Sequence, residues 1–218
     1  MPVIYKWSNV QVGIETLTPA PTAVPITGIT KANPGVITAA GHGLANGDWF
    51  RTNIDQGMRQ IDDRVFRASG VAADAVAMEG TDTTLFDDFG TGDLTEVTFG
   101  TFMTTVRGLT ASGGDPDFID VTTIHDTVRK QIPGLTAAIN YSMENLWDAT
   151  DAALIALKAF GDNQTRVAFQ FAFAGGAGPK VVFMGYVACN LLPTGNAQDV
   201  VVTPVTVTMF GNPTIYPA

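Results

Sequence analysis

At 218 residues with 45% hydrophobic side chains, the chain is long enough for one large β domain or a domain with a smaller insertion, and too apolar for wholesale disorder. Acids outnumber bases 21 to 12, a formal net charge of −9, which disfavours a nucleic-acid grip because phosphate binding needs clustered Lys and Arg. Cys189 is the only cysteine, so an internal disulfide or a thiolate metal cluster is excluded. No apolar run reaches the length of a membrane span, and MPVIYKWSNV lacks the layout of a signal peptide. The expectation is a protein soluble in the cytoplasm where it is made, with no membrane contact and no cofactor.

Glycine (23), proline (12) and many Thr and Val residues favour short strands joined by tight turns, a mainly β fold. Residues 1–25 hold one strand, around Ser8 to Ile14, and a proline-rich arm, TLTPAPTAVP, too broken for a central strand. Residues 26–94 differ in texture and read as a small inserted or appended all-β module. Its strands are expected in ITGITKA, VITAA and WFRTNI and near 64–68 and 75–78, separated by Asn33-Pro34-Gly35 and Gly41-His42-Gly43-Leu44 turns. Between Asp74 and Asp93 lie six acids and no base, the strongest boundary in the chain.

Residues 95–218 form the main β body. Val167, Phe169, Phe171 and Phe173 alternate with Ala168, Gln170 and Ala172, a strand with one core face and one small, polar face. Gly175-Gly176-Ala177-Gly178 turns it into Lys180 to Val187, and Val200 to Phe210 alternates again. Strands are also expected over 95–107, 118–123 and 138–144. One helix is predicted over 148–160, with Asp148 as N-cap, Ala153, Leu154, Leu157 and Phe160 on one apolar face, and Gly161 as the stop.

Candidates for chemistry are few. His42 in a glycine turn reads as structural, and His125 in a polar stretch as exposed. No G-x-S-x-G elbow or P-loop is present, and Gly90-Thr91-Gly92-Asp93 and 175–178 are better read as β turns. Asp82, Asp87, Asp88 and Asp93 lack the spacing of a calcium loop. These features weigh against a hydrolase. A carbohydrate-binding or adhesion module is an open alternative, with Trp7 and Trp49 as the aromatics it would need.

Several segments resemble those of siphophage major tail tube proteins. Asp117-Phe118-Ile119-Asp120-Val121-Thr122-Thr123, then Asp126 to Arg129 and Ile132-Pro133-Gly134-Leu135, is similar to a strand-loop-strand segment of that family. Asn145-Leu146-Trp147-Asp148-Ala149-Thr150-Asp151, with Leu154 and Leu157, resembles the start of its helix. The VAFQFAF and VVFMGYV hairpin follows, with Gly185-Tyr186-Val187, then Asp199 and a last strand ending in Phe210-Gly211-Asn212-Pro213. Together these cover roughly 95–215 and the N-terminal strand, and Ala40-Gly41-His42-Gly43-Leu44 with Gly47-Asp48 resembles a β module of phage virion proteins.

The resemblance implies a β-sandwich or half-barrel tube domain with one flanking helix, assembled as homohexameric rings stacked into a tail tube. It implies a virion location, contacts with a tape-measure protein, a tail terminator and distal tail proteins, and passage of double-stranded DNA without specific binding. A tube protein of a contractile tail or secretion system is the nearer alternative. Under the siphophage resemblance, the 108–117 and 124–134 loops and the N-terminal arm bridge rings, with Leu109, Asp115, Asp117, Phe118, His125, Arg129 and Lys130 as contact residues. Asp120, Glu144 and Gln170 are expected to face the lumen, where acids would repel phosphate. The acidic excess is five in 26–94 and four in 95–218, so much of it belongs to the module. That module is expected outside the tube, and its deletion is expected to leave assembly intact.

Overall fold

The computed structural model describes residues 4, 6–17 and 21–217; the N-terminal arm expected over 1–25 therefore lies partly outside the described residues. In chain order the first strands are β1 (Gln11–Glu15), β2 (Ala23–Pro25), β3 (Gly28–Ile29), β4 (Val36–Thr38), β5 (Trp49–Gln56) and β6 (Val65–Ala72). Next come β7 (Ala75–Met78), β8 (Thr91–Val97), β9 (Phe99–Met103), β10 (Val106–Ser112), β11 (Pro116–Asp120) and β12 (Gln131–Thr136). The last are β13 (Asn140–Leu146), the helix α1 (Ala152–Asp162), β14 (Arg166–Ala172), β15 (Lys180–Ala188) and β16 (Val202–Tyr216). The fold is mainly β, as composition predicts.

Seven strands form the main sheet in the order β10-β13-β16-β15-β14-β1-β9. All its pairings are antiparallel, with Phe169 opposite Phe183 and Met143 opposite Val205. Its inner face buries Val12, Ile14, Met143, Phe169, Phe171, Phe183, Val205 and Val207 in one cluster. Aromatic rings knit the centre: Phe169 stacks on Phe183 at 5.6 Å, and Tyr141 on Phe183 at 5.1 Å. Helix α1 closes this cluster with Ala153, Leu154 and Leu157, the apolar face its spacing predicts.

The helix start differs from expectation. Asp151 is the N-cap, its Oδ1 accepting from the Leu154 N–H at 2.8 Å. Asp148 instead holds an Asx turn, taking the Thr150 N–H and hydroxyl at 2.8 and 2.7 Å. Gly161 lies inside the last turn, with Asn163 as C-cap. It packs closely, since a Cβ there would sit 3.2 Å from the Val187 carbonyl oxygen.

The second sheet has the order β2-β8-β5-β6-β7-β4-β3. Its two ends, β2 and β3, are separated in the chain by Ile26 and Thr27 alone. Ile26 N–H donates to the Gly92 carbonyl at 2.9 Å and Thr27 N–H to the Thr38 carbonyl at 2.8 Å. The chain thus passes from one end of the sheet to the other and closes it into a small barrel, which removes its free edges. Phe50, Ile54, Phe66, Val76 and Leu94 fill it. The His42 turn locks one corner: His42 Nδ1 accepts from the Leu44 N–H, and Nε2 lies 3.1 Å from the Ala72 carbonyl. His42 is buried and structural in place.

The barrel packs on the outer face of β14, β15 and β16. Val65 and Val97 meet Ala168, Val182, Met184 and Tyr216 in a third buried cluster. The Tyr216 hydroxyl accepts from the Arg67 backbone N–H at 2.8 Å, and the Arg67 guanidinium lies over the Tyr216 ring. Two ion pairs cross the junction, Arg166 to Asp63 at 2.6 Å and Arg51 to Glu15 at 3.4 Å. Glu15 is 1% exposed and sits where β1 slips register against β9. Its Oε2 accepts from the Ala168 N–H at 2.8 Å. Burial pushes the Glu15 carboxyl up, opposed by the Arg51 charge and the Ala168 hydrogen bond. Burial likewise raises Asp63, against the pull of Arg166.

Strand β16 is longer than the sequence suggests. Gly211, at φ +76°, carries it past Gly-Asn-Pro to Tyr216. Pro213 is tolerated because β13 pairs β16 only as far as Thr208, leaving an unpaired edge beyond.

Candidate functional site

Three surfaces of the main sheet bear on self-association. The first is an arm. Strands β11 and β12 pair only with each other, and they continue the β10–β13 ladder through Gly114 N–H to Ala137 O (3.2 Å) and Ala137 N–H to Asp115 O (3.0 Å). Gly113 and Gly114, both at φ +88°, carry the ribbon past the ladder's irregularity; a Cβ on Gly113 would lie 2.2 Å from the Ala138 carbonyl oxygen. The stretch expected as a loop over 108–117 is therefore largely strand, whereas 124–134 is irregular until β12 begins at Gln131. Pro133 and Gly134, which read as a turn, lie inside β12, where the far edge is unpaired and a missing N–H leaves no ladder bond broken.

None of the side chains of residues 115–138 joins a buried cluster. Phe118, Ile119, Ile124, Val128, Ile132 and Leu135 are all exposed, Ile124 at 96%. Such a row of apolar side chains on an otherwise acidic protein marks an interaction surface. The tip is nevertheless ordered by local bonds. Asp126 accepts from the Thr123 N–H at 2.9 Å and pairs with Lys130, and Val121 N–H donates to the Lys130 carbonyl. Lys130 holds the Asp126 carboxyl below its usual range, and the Thr122 hydrogen bonds do the same for Asp120. Asp115, Asp117, Phe118, His125, Arg129 and Lys130 all fall on this arm, exposed.

The second surface is a seam. Among the described residues, strands β9 and β10 end the sheet, each bonded on one side only. Strand β9 covers β1 only from Val12 onward, so Trp7 and Val10 face β10 across an open groove of about 290 Å³. Val106, Arg107, Gly108 and Leu109 form its other wall. Leu109, expected among the contact residues, is half-buried here, apart from the arm.

The third is a polar face. Thr110, Ser112, Asn140, Ser142, Glu144, Thr206 and Thr208 lie on the outer side of β10, β13 and β16, in register with one another. Glu144 is its one acid and pairs with Arg107 at 3.4 Å. The lumen candidates do not converge. Glu144 is on this face and Asp120 is on the arm. Gln170 is 6% exposed and cannot face a lumen: the outer side of β14, which reads as small and polar, is covered at Ala168 by the barrel.

Other candidates resolve into structural roles. Trp49 packs between Phe99 and Tyr216, with Lys180 over its ring, so it is withdrawn from any carbohydrate platform. Asp88 pairs with Lys31 at 2.5 Å, Asp87 accepts from Gln60 at 2.8 Å, and Asp82 caps Thr84. Cys189 is buried, and burial pushes its thiol up, away from reactivity. It borders a polar cleft of about 520 Å³ at the C-terminal end of α1. Among the described residues no helix is long and apolar enough to cross a membrane.

Sequence reasoning missed Tyr216, Glu15 and the seam. Only Trp7 and Val10, just ahead of β1, and Val12 within it hinted at the last.

No curated protein gives a significant match. The profile of the phage tail tube protein family, TTP, matches residues 56–218. The match takes in β6, β7 and β8 of the barrel together with every main-sheet strand after β1, about three-quarters of the chain. The chain belongs to the phage tail tube protein family, a structural family whose members assemble into the tail of the virion.

Proposed function

We propose that the chain forms homohexameric rings that stack into the tube of a siphophage tail, housing a tape-measure protein and conducting double-stranded DNA at ejection. The observation that carries this reading is the contrast between the two sheets. The barrel has closed on itself, whereas the main sheet ends in β9 and β10, strands of five and seven residues without proline or lysine. Open edges invite pairing with another copy, and on β10 Arg107 and the register shift between Val106 and Gly108 confine such pairing to the stretch beyond them. Edge-to-edge pairing around a ring turns six open sheets into one closed one, and the contact is heterologous.

The polar face of β10, β13 and β16 is the best candidate for the lumen. Its side chains are mostly hydroxyls and amides, and its one Glu144 is neutralised by Arg107. DNA would pass because nothing there binds phosphate, with little repulsion involved. The barrel lies on the opposite end of the sheet's outer side and would stand at the tube exterior. The arm would reach to the next ring, and a tail terminator and distal tail proteins would cap the two ends.

The test is assembly. Purified protein at tens of micromolar should give rings or tubes in negative-stain images. A monomer that persists at high concentration, by light scattering and microscopy, would count against the reading.

A further inference from the structure

We propose that Arg64, at the junction of barrel and main sheet, binds a small oxyanion of the phosphate or sulfate class, which clamps the two together. The site stands apart from the tube reading and from any contact between copies.

The junction carries an excess of positive charge on a chain whose net charge is −9. Arg51, Arg64, Arg67, Arg166 and Lys180 all meet there. Three of them are matched by acids: Arg51 by Glu15, Arg166 by Asp63 and Arg67 by Glu79. Lys180 lies over the Trp49 ring. Arg64 makes no ion pair among the described residues. The acids beside it in the chain do not serve, because Asp62 is engaged by Arg59 and Asp63 by Arg166. Neutralised in this way, they also offer little repulsion to an incoming anion.

The guanidinium is also under-bonded. Arg64 is half-buried, and its Nε is buried with no hydrogen-bond partner. Its terminal nitrogens make only long contacts, Nη1 to the Gln60 carbonyl at 3.4 Å and Nη2 to the Thr214 hydroxyl at 3.4 Å. Both exceed the ~3.2 Å at which such bonds are ordinarily made. Burial opposes its charge and pulls its pKa down. An arginine withdrawn from water is ordinarily satisfied by a carboxylate or phosphate that takes two of its N–H groups at once.

The surroundings select a compact oxyanion. The Arg64 guanidinium carbon lies 5.2 Å from the centre of the Phe66 ring, so one flat side of the group is covered and its nitrogen edge is left to bond. Thr214 is 8% exposed, and its hydroxyl can turn to donate to the same anion as the guanidinium. Gln60 and Phe66 belong to the barrel and Thr214 to β16. An anion held by Nη1, Nη2 and that hydroxyl therefore bridges the two bodies. A single half-buried arginine cannot follow a nucleic-acid backbone, which needs a row of cations.

The experiment titrates the full-length chain with inorganic phosphate, replacing chloride at constant ionic strength, and reads thermal melts and the phosphorus NMR line width. Wild type should broaden the phosphate line, and its Tm should rise saturably, by about 3–6 °C at about ten times the Kd. Arg64→Gln should lose both effects. Arg64→Lys keeps the charge without the planar fork and should bind about tenfold or more weakly. Arg129→Gln, at an exposed arginine elsewhere, should bind as wild type does. A Tm that climbs without saturating, or climbs equally in Arg64→Gln, is the general effect of an excluded salt and overturns the site. A phosphate line that wild type leaves sharp, or that Arg129→Gln alone sharpens, also overturns it. If Arg64→Gln does not fold, Arg64→Lys carries the comparison, and affinity equal to wild type there overturns the proposal. None of these outcomes bears on whether the chain forms tubes.

Discussion

Tyr216 is the side chain on which the junction of barrel and main sheet most depends, and its hydroxyl can be removed without touching its ring. It is 2% exposed, and the hydroxyl accepts from the Arg67 backbone N–H at 2.8 Å. Tyr216→Phe keeps the edge-on contact with Trp49 and the Arg67 guanidinium over the ring but leaves a backbone donor without its partner. Such an orphaned donor costs about 1–3 kcal/mol. Tyr216→Ala removes the ring as well and should cost about 3–5 kcal/mol. A second signature comes from pH. Burial pushes the Tyr216 phenol up to about 12, so its neutral form is favoured in the fold. The stability it contributes is fully present below pH 10 and is lost as pH rises from 10 through 12. The gap between wild type and Tyr216→Phe should therefore shrink by about 1.4 kcal/mol by pH 11, halfway through that range. Guanidinium titrations at pH 7 and pH 11 measure both effects, and Trp49 fluorescence reports locally. A cost under about 0.5 kcal/mol with a pH-independent gap would refute the reasoning, and with it the view that barrel and sheet unfold as one body.

Two further outcomes follow from the same chemistry. Burial raises the Glu15 carboxyl, so its contribution is full below the ordinary carboxylate range and lost as pH rises through the raised value. Glu15→Gln should thus be at least as stable as wild type at pH 7 and lose that advantage near pH 4 in thermal melts, whereas a clear loss at pH 7 would mean the Arg51 pair outweighs burial. Asp151→Ala should cost about 0.5–2 kcal/mol as the loss of a helix cap, and Asp148→Ala under about 0.5 kcal/mol; a reversed order by circular dichroism would return the cap to Asp148.

The junction also alters the expectation for the barrel. Deleting it would uncover Ala168, Val182, Met184 and Tyr216 and strand Glu15 and Arg166 without their partners. Loss of folded protein is the expected result, in place of an intact tube.

Local pattern determined a good deal. Alternation at Val167 to Phe173 and Val205 to Met209, the 153–154–157 stripe and the glycine turns around His42 each define an element within its own few residues. A strand's core face or a helix's apolar stripe is written in its periodicity, so the mainly β class and the single helix were legible. Order along the chain carried the family resemblance.

What periodicity does not encode is what covers the other face. Ala168, Gln170 and Ala172 read as an outward, wettable set because small and polar residues suit water as well as close packing; only the barrel's Val65 and Val97 decide for packing. Gly-Asn-Pro looks like a strand end, and the unpaired edge of β16 lets the strand run on to Tyr216. The arm's β11 was legible as a strand near 118–123, while β12 escaped notice because Pro133-Gly134 reads as a turn and no core face marks it. Residue types alone showed a β protein that needs neighbours. The tertiary structure decided which faces the chain covers by itself, and which it leaves open for another copy.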